Sequence, residues 1–478
     1  MAKNLRTEIA LPTLRISVDL ARADAVFATA HDRARPQEVA RCPLRDLGLP
    51  SSVDGPVADA ALTVPAEVVA RLDRAARELG TSPLPPAQAL WLEFPAPRGL
   101  VHVLPWERLL ASLERPLFRL PYHPVRPQKP GPRLDVAICA SSPFRTTAFD
   151  PAEVLAHLSA QYLRHAGRDV TVHLFTDAAH HAATRAAVES MLSYDHTLGA
   201  FEPPIVHEPP GRPRHPSSSH GSHAITNPWL TWLSDGVDGG RLDVVHLVAH
   251  GSMSSGRGSV ALATTPRTEP GTTPARFVEA VELVELLTRV GALGLALSSP
   301  PGNRSAAGLR ELADDVARVR PGVAAVHDLA DDPEARQLGA ALRMVFAPSQ
   351  DQHPPLPAMA AWVHPLFVGR GGLEAYADDV AGPLRELTST LLLDEDGRSS
   401  FLQPATRRSA AEVDSESWVA SASRSIEQLQ MAWLPPSLDL PVDRAAVEAL
   451  DRVAGLLEQH AHLAYPDDPG GAAGGGPR

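Results

Sequence analysis

The chain has 478 residues, 44% of them hydrophobic, which is enough for two or three domains with ordinary cores and excludes wholesale disorder. Its formal net charge of −12 argues against a general nucleic-acid binder, because such proteins need a cationic surface. The longest apolar runs are too short for a membrane span of about 20 residues, and the first residues lack the apolar segment of a signal peptide. Since Cys42 and Cys139 are its only cysteines, we expect a protein of a reducing compartment, the cytoplasm.

The first 128 residues predict an α+β region. Residues 13–21 alternate apolar and polar side chains, as a half-buried strand does, and residues 66–80 have helical spacing that stops at a glycine. Two short strands follow, in ALWLEFP and LVHVLPWERLL. Prolines then recur every two to four residues, which predicts an extended linker because each proline lacks an N–H donor. We therefore place a domain boundary between residues 128 and 129.

Residues 129–350 show a different pattern, in which apolar strands alternate with amphipathic helices. Most of the predicted strands precede a helix, which is typical of a three-layer α/β sandwich with a mostly parallel sheet. In such sheets, ligands and catalytic groups gather at the carboxyl ends of the strands. The predicted strands are LDVAICAS, DVTVHLF, DVVHLVAH, ALGLALS and GVAAVHDL.

The C-terminal part predicts a helical region and a tail. Three segments between residues 351 and 464 have helical spacing. Residues 465–478, rich in glycine and proline, cannot bury an apolar face, and we expect them to be disordered.

A histidine ends one of the predicted strands, in RLDVVHLVAHGS. At that place His250 would be accessible enough to exchange protons and rigid enough to be aimed, and Gly251 would leave room for a substrate carbonyl near its backbone N–H. Alternatively, His250 only caps the strand through a hydrogen bond. His246, on the same strand, is predicted to be a core histidine.

Two strands end in similar Ser-Ser-Pro sequences, ASSPFR after the first strand of the α/β domain and LSSPPG after the fourth. If both ends lie on one rim, then Ser141, Ser142, Ser298 and Ser299 would offer four hydroxyls that could bind a peptide backbone without cleaving it. The alternative is that Ser-Pro pairs simply end these strands.

The sequence predicts no cofactor and no metal site. The histidines of RHPSSSHGSHAI lack a cysteine or carboxylate at ligand spacing. The glycine-rich stretch 251–259 lacks the Gly-Lys-Ser/Thr ending of a phosphate-binding loop.

Several of these segments together resemble the CHAT branch of the caspase-like (clan CD) cysteine peptidases. The resemblance covers roughly residues 90–350 and rests on element order and the His-Gly pair. The composition is also similar to that of caspase-like proteins of bacterial conflict systems, including the CATRA type. The segments that carry the resemblance are LWLEFP, HVLPWERLL, DVVHLVAHG, GALGLALSS and GLRELADDVARVRPGVAAVHDL.

The resemblance implies a general-base histidine at one strand end and a nucleophilic cysteine at the end of the next strand. The base then matches His250, and the oxyanion N–H would come from Gly251. The nucleophile position falls on Ser299 or Pro300, and neither is a cysteine. A serine hydroxyl does not ionise near neutrality, whereas a thiol with a pKa of about 8.5 yields thiolate beside a histidine.

Two further roles depend on the same resemblance. Cys139 lies near the carboxyl end of a strand that neighbours the histidine strand in caspase-like sheets, so it could replace the missing thiol. A buried structural cysteine is the alternative. Arg257 or Arg304 would border the specificity pocket and could bind an acidic group.

Three functions therefore remain open. The preferred one is a non-catalytic scaffold, sensor or regulator in a bacterial conflict or defence system, with a protein or peptide as its partner. The second is an active peptidase that uses His250 with Ser299 or Cys139. The third is an α/β protein-binding module whose helical C-terminal region recruits the partner.

Overall fold

The structure is a computed structural model. Three of the predicted segments lie outside the residues that the structure describes. They are residues 121–132 of the proline-rich linker, residues 364–464 of the predicted helical region, and the tail 465–478. The structure describes residues 12–19, 22–30, 36–49, 58–79, 88–95, 100–120, 133–143, 149–198, 201–210, 225–237, 241–254, 257–267, 275–302, 305–320, 322–346 and 354–363.

Strands and helices follow one another along the described part of the chain. The strands are β1 Thr13–Asp19, β2 Asp24–Ala30, β3 Gln37–Pro43, β4 Leu90–Glu93, β5 Leu117–Arg119, β6 Arg133–Ala140, β7 Asp169–Phe175, β8 Ile205–Val206, β9 Val244–Val248, β10 His250–Ser254, β11 Arg257–Ala263, β12 Ala275–Val278, β13 Gly294–Ser299, β14 Val323–Asp328 and β15 Met359–Trp362. The helices are α1 Ala66–Glu78, α2 Trp106–Leu109, α3 Pro151–His165, α4 His181–Tyr194, α5 Pro228–Gly236, α6 Ala280–Arg289, α7 Ala307–Val319 and α8 Arg336–Phe346.

Within the described residues, twelve of these strands form one sheet, in the order β3-β2-β1-β4-β5-β15-β14-β13-β9-β6-β7-β8. Its central strands β7, β6, β9, β13 and β14 are mutually parallel and are the five predicted from the sequence. β15 pairs antiparallel with β14.

Helices cover both faces of the central strands because successive side chains of a strand point to opposite sides. On β6, Val136, Ile138 and Ala140 pack with α3, α4 and α8, whereas Ala137 and Cys139 pack with α5, α6 and α7. This arrangement confirms the predicted three-layer α/β sandwich with a mostly parallel sheet.

The N-terminal region continues the same sheet. β5 pairs with β15 at Arg119 and Trp362, so strands on the two sides of the predicted boundary lie in one sheet. β5 itself lies in the proline-rich stretch that we expected to be an extended linker. β15 lies in the range 351–464, which we expected to be helical. The strand was missed because an apolar run of four residues carries no periodicity that separates strand from helix.

A second sheet, with the order β10-β11-β12, is antiparallel and starts at His250. No helix among the described residues is both long enough and apolar enough to cross a bilayer.

Candidate functional site

The carboxyl ends of three adjacent strands form the candidate site. β9 lies between β6 and β13, and Val248 is in register with Ala140 on one side and with Ser298 on the other. The backbone N–H of Ser141 donates to Val248 O over 3.0 Å, and that of Ala249 donates to Ser298 O over 3.2 Å. The two Ser-Ser-Pro sequences therefore flank the histidine strand, and we call Ser141, His250, Ser298 and Ser299 the strand-end cluster.

His250 is the first residue of β10, paired with Ala261 of β11. Its exposed fraction is only 4%, which differs from the accessible ring that we expected at a strand end. The ring of Phe149, just before α3, stands nearly perpendicular to the imidazole with 6.3 Å between the ring centroids. The sequence could not show this cover, because Phe149 is a hundred residues away along the chain.

Gly251 packs against the start of α7. A Cβ at this position would lie 2.7 Å from Leu309 Cγ and 2.8 Å from the backbone N of Leu309. A larger residue at position 251 would therefore clash with α7, which explains why this position is a glycine. Its role as an oxyanion donor stays a prediction.

Ser299 ends β13, Pro300 follows it, and both residues are buried. Alternation along the strand puts the Ser299 side chain on the α5–α7 face, with Leu295 and Leu297. The Ser299 carbonyl accepts the N–H of Leu329 over 3.1 Å. A substrate could not contact the Ser299 hydroxyl without a movement of the surrounding chain, because none of the residue's surface is exposed.

Ser298 faces the opposite side of the sheet, within a buried chain of hydrogen bonds. Its Oγ lies 2.7 Å from His246 Nε2 and 3.3 Å from His327 Nδ1. Tyr162 Oη lies 3.2 Å from His246 Nδ1, and Asp332 Oδ2 lies 3.0 Å from His327 Nε2. We call these five residues the buried relay.

Only His246 of this relay was expected in the core. The signal for Ser298 and His327 was present in the sequence, since both are polar residues near the ends of otherwise apolar strands. In the structure, their strands are adjacent and their positions share one face, with Ser298 opposite His327 in the register. Ser298, His327 and Asp332 are also the residue types of a catalytic triad, but Ser298 is completely buried and already bonded to two histidines.

Burial and hydrogen bonding together set the charge states of His246 and Asp332 within the relay. Burial lowers the pKa of His246 from 6.5 to about 3, with a smaller contribution from the charge of His327, so this imidazole is neutral at pH 7. Burial alone would raise the pKa of Asp332, but the hydrogen bond and charge of His327, together with the backbone N–H groups of Gln337 and Arg336, outweigh it and leave that pKa below its usual value.

Cys139 is fully buried on the α5–α7 face of β6. Burial raises the pKa of its thiol far above the usual range, and the negative charge of Asp177 adds to this shift. A thiolate is therefore strongly disfavoured at neutral pH, which argues against Cys139 as a replacement nucleophile.

Ser141 has a structural bond at the same edge. Its Oγ accepts the backbone N–H of Ala263, at the end of β11, over 2.9 Å. The hydroxyl of Ser142 is buried and finds no hydrogen-bond partner among the described residues. The four serines of the predicted rim thus lie at the ends of strands that flank β9. All four are buried, so their hydroxyls do not form an accessible rim.

Arg257 begins β11 and is exposed, with Nη1 3.8 Å from Glu279 Oε2. Arg304 lies outside the described residues. No group of three or more His, Cys, Asp or Glu side chains in the described ranges is arranged to hold a metal ion.

No protein-family model matches the sequence, and no curated protein matches it significantly. The resemblance to CHAT proteins therefore rests on the residues and the element order given above.

Proposed function

We propose that this chain is a non-catalytic protein of caspase-like CHAT architecture that acts by binding a protein or peptide partner. The observation that carries the proposal is burial: each candidate nucleophile of the strand-end region, Ser299 and Cys139 included, is completely inaccessible to solvent.

The sheet order supports the architectural part of the proposal. The resemblance implies a histidine strand next to a nucleophile strand, and β9 and β13 are adjacent and parallel. It also implies that the strand of Cys139 neighbours the histidine strand, and β6 pairs with β9 on the other side.

The chemistry at the strand ends supports the absence of catalysis. Acyl transfer needs a nucleophile within hydrogen-bond reach of its base and of a substrate carbonyl. Ser299 is sealed on the α5–α7 face, Pro300 offers no nucleophilic atom, and the Cys139 thiol is held in its protonated form. His250 itself is 4% exposed.

A peptide-library digestion tests this part. The purified full chain is incubated with a broad peptide library, and the products are compared by mass spectrometry with those of the His250→Ala variant. We expect identical product profiles. Cleavage that disappears in His250→Ala would instead establish the active peptidase, and Ser299→Ala and Cys139→Ala would then identify its nucleophile.

The binding part needs a separate measurement. The full chain is immobilised and exposed, one at a time, to the purified products of neighbouring genes, since the expected role in a bacterial conflict system follows from the resemblance alone. We expect one of them to be retained and left uncleaved. Retention of none would contradict the proposed binding role.

A further inference from the structure

The hairpin that follows His250 is seated on α7 through three glycines. A Cβ at Gly258 would lie 2.3 Å from Gly308 O, and a Cβ at Gly308 would lie 2.5 Å from Ser252 O. Gly251 meets Leu309 in the same way. The backbone of β10–β11 therefore lies directly against the first turns of α7, where little space is left to absorb a shift.

The same helix is held from its other side by a carboxylate of the N-terminal region. Asp59 Oδ2 accepts the backbone N–H of Ala306 over 3.1 Å, and Oδ1 accepts the Ser305 hydroxyl over 3.0 Å. Nη2 of Arg310 donates to both oxygens, each over 2.8 Å. Asp59 thus holds the two residues that precede α7, although it lies almost 250 residues earlier in the chain.

This contact is buried and reinforced. Asp59 is 5% and Arg310 3% exposed, so water screens their ion pair little. Arg310 Nε also donates to the carbonyl of Val103. One residue further along α7, Glu311 Oε2 lies 2.5 Å from Nε2 of His102, another residue of the N-terminal region.

The contacts of Asp59 connect two parts of the strand-end cluster, the chain that follows Ser299 and the hairpin that starts at His250. Ser305 and Ala306 close the loop that leaves β13 after Ser299, and the helix they begin carries the hairpin that starts at His250. One side chain therefore holds the loop after Ser299 directly and the hairpin of His250 through α7.

We propose that the N-terminal region regulates the strand-end cluster as an intramolecular clamp, in which Asp59 is the fastening group. Displacement of the segment Asp59–Ala61 from α7 releases Ser305, Ala306 and the hairpin of His250 together. Displacement is costly, because it leaves the buried guanidinium of Arg310 without its carboxylate partner. The clamp rests on the proposed function only in treating this cluster as the functional site.

Hydrogen exchange of the full chain, read by mass spectrometry, tests the clamp. Asp59→Asn keeps the shape of the side chain but removes the charge that faces Arg310. We expect amides in 306–312 and in 250–263 to exchange about tenfold faster or more, whereas those of β6 and β7 keep their rates. Asp73→Asn is the matched control, since Asp73 pairs with Arg77 on the surface of α1 and should leave both segments unchanged.

Acceleration confined to residues 58–61 and 305–307 would overturn the clamp, because the hairpin would then be independent of Asp59. If Asp59→Asn does not fold, Asp59→Glu decides, since it keeps the charge for Arg310 but misplaces the carboxylate. Faster exchange in both segments supports the clamp, and unchanged rates in 250–263 overturn it. These rates do not depend on catalysis or on a partner, so failure of the clamp is distinguishable from failure of the proposed function.

Discussion

At the scale of single residues, the buried relay has, when both of its histidines are neutral, a proton arrangement in which every donor is used once. Tyr162 donates its hydroxyl proton to His246 Nδ1, His246 Nε2–H donates to Ser298, and Ser298 donates to His327 Nδ1. His327 Nε2–H then donates to the carboxylate of Asp332. An added proton on His246 would put a cation in the core beside His327, where burial disfavours it.

His246 should therefore make the fold sensitive to acid. Its pKa is about 3 in the folded protein and 6.5 as an ordinary histidine, so the unfolded chain binds the proton more readily. The stability that it contributes is complete above pH 6.5 and is lost as the pH falls from 6.5 towards 3. The lowered pKa of Asp332 acts in the same direction below its ordinary value of 3.8.

Urea unfolding at pH 7 and pH 4.5 measures this effect. The free energy of unfolding of the unaltered chain should fall from pH 7 to pH 4.5. Because glutamine cannot take up a proton, we expect this fall to be smaller in His246→Gln, by about 1 kcal/mol or more. His196→Gln, at an exposed position, should behave like the unaltered chain. An equal pH dependence in His246→Gln would contradict this charge assignment.

At the scale of elements, the seating of the hairpin on α7 allows a sharp test. A methyl group at Gly258 would meet backbone atoms, Gly308 O at 2.3 Å and Leu312 N at 2.4 Å, which cannot move as a flexible side chain can. We expect Gly258→Ala to lower the free energy of unfolding by about 1–3 kcal/mol, measured by urea denaturation.

Gly294→Ala provides the control. Gly294 lies in β13, and the nearest atom to its Cβ position is 3.6 Å away, an ordinary contact. This variant should lose little stability. An equal loss in both variants would show that the hairpin contact is not the cause.

Local patterning accounts for the elements that could be predicted. Apolar runs bounded by helices predicted the five central strands, with Ser298 and Ser299 at the end of β13. His250 was also expected to end its strand, but β9 ends at Val248 and His250 begins β10. Local patterning could not predict β10 and β11, because GSMSSGRGS has the composition of a loop. In the structure this stretch packs on α7 as part of a hairpin. Nor could local patterning give the burial of His250, which depends on Phe149 and on the second sheet.

At the scale of the whole molecule, the two sides of the predicted boundary near residue 128 belong to one continuous sheet. Buried contacts also join them. Across this boundary, Nη2 of Arg310 donates to Asp59 Oδ1 over 2.8 Å, and the guanidinium of Arg119 lies 4.7 Å from the ring centroid of Trp362. Trp362 Nε1 donates to Asp314 of α7 over 2.9 Å. Such pairings between distant segments have no local sequence signal, which is why the sequence suggested separate domains.

We therefore expect the N-terminal strands and the central sheet to unfold as one cooperative unit. Native-state hydrogen exchange under EX2 conditions should give β2 and β13 the same opening free energy within about 1 kcal/mol, with the same urea dependence. A lower free energy and a smaller urea dependence for β2 would show instead that the N-terminal region opens by itself.

The position of β15 has a consequence for biosynthesis. This strand lies between β5 and β14, yet it is the last of the described strands to leave the ribosome. The nascent N-terminal strands therefore cannot join the central sheet until residues 359–362 have been translated, and the edge of β14 stays open until then. A ribosome stalled before that point would carry two half-sheets with unpaired edges, a species prone to aggregation and a natural substrate for chaperones.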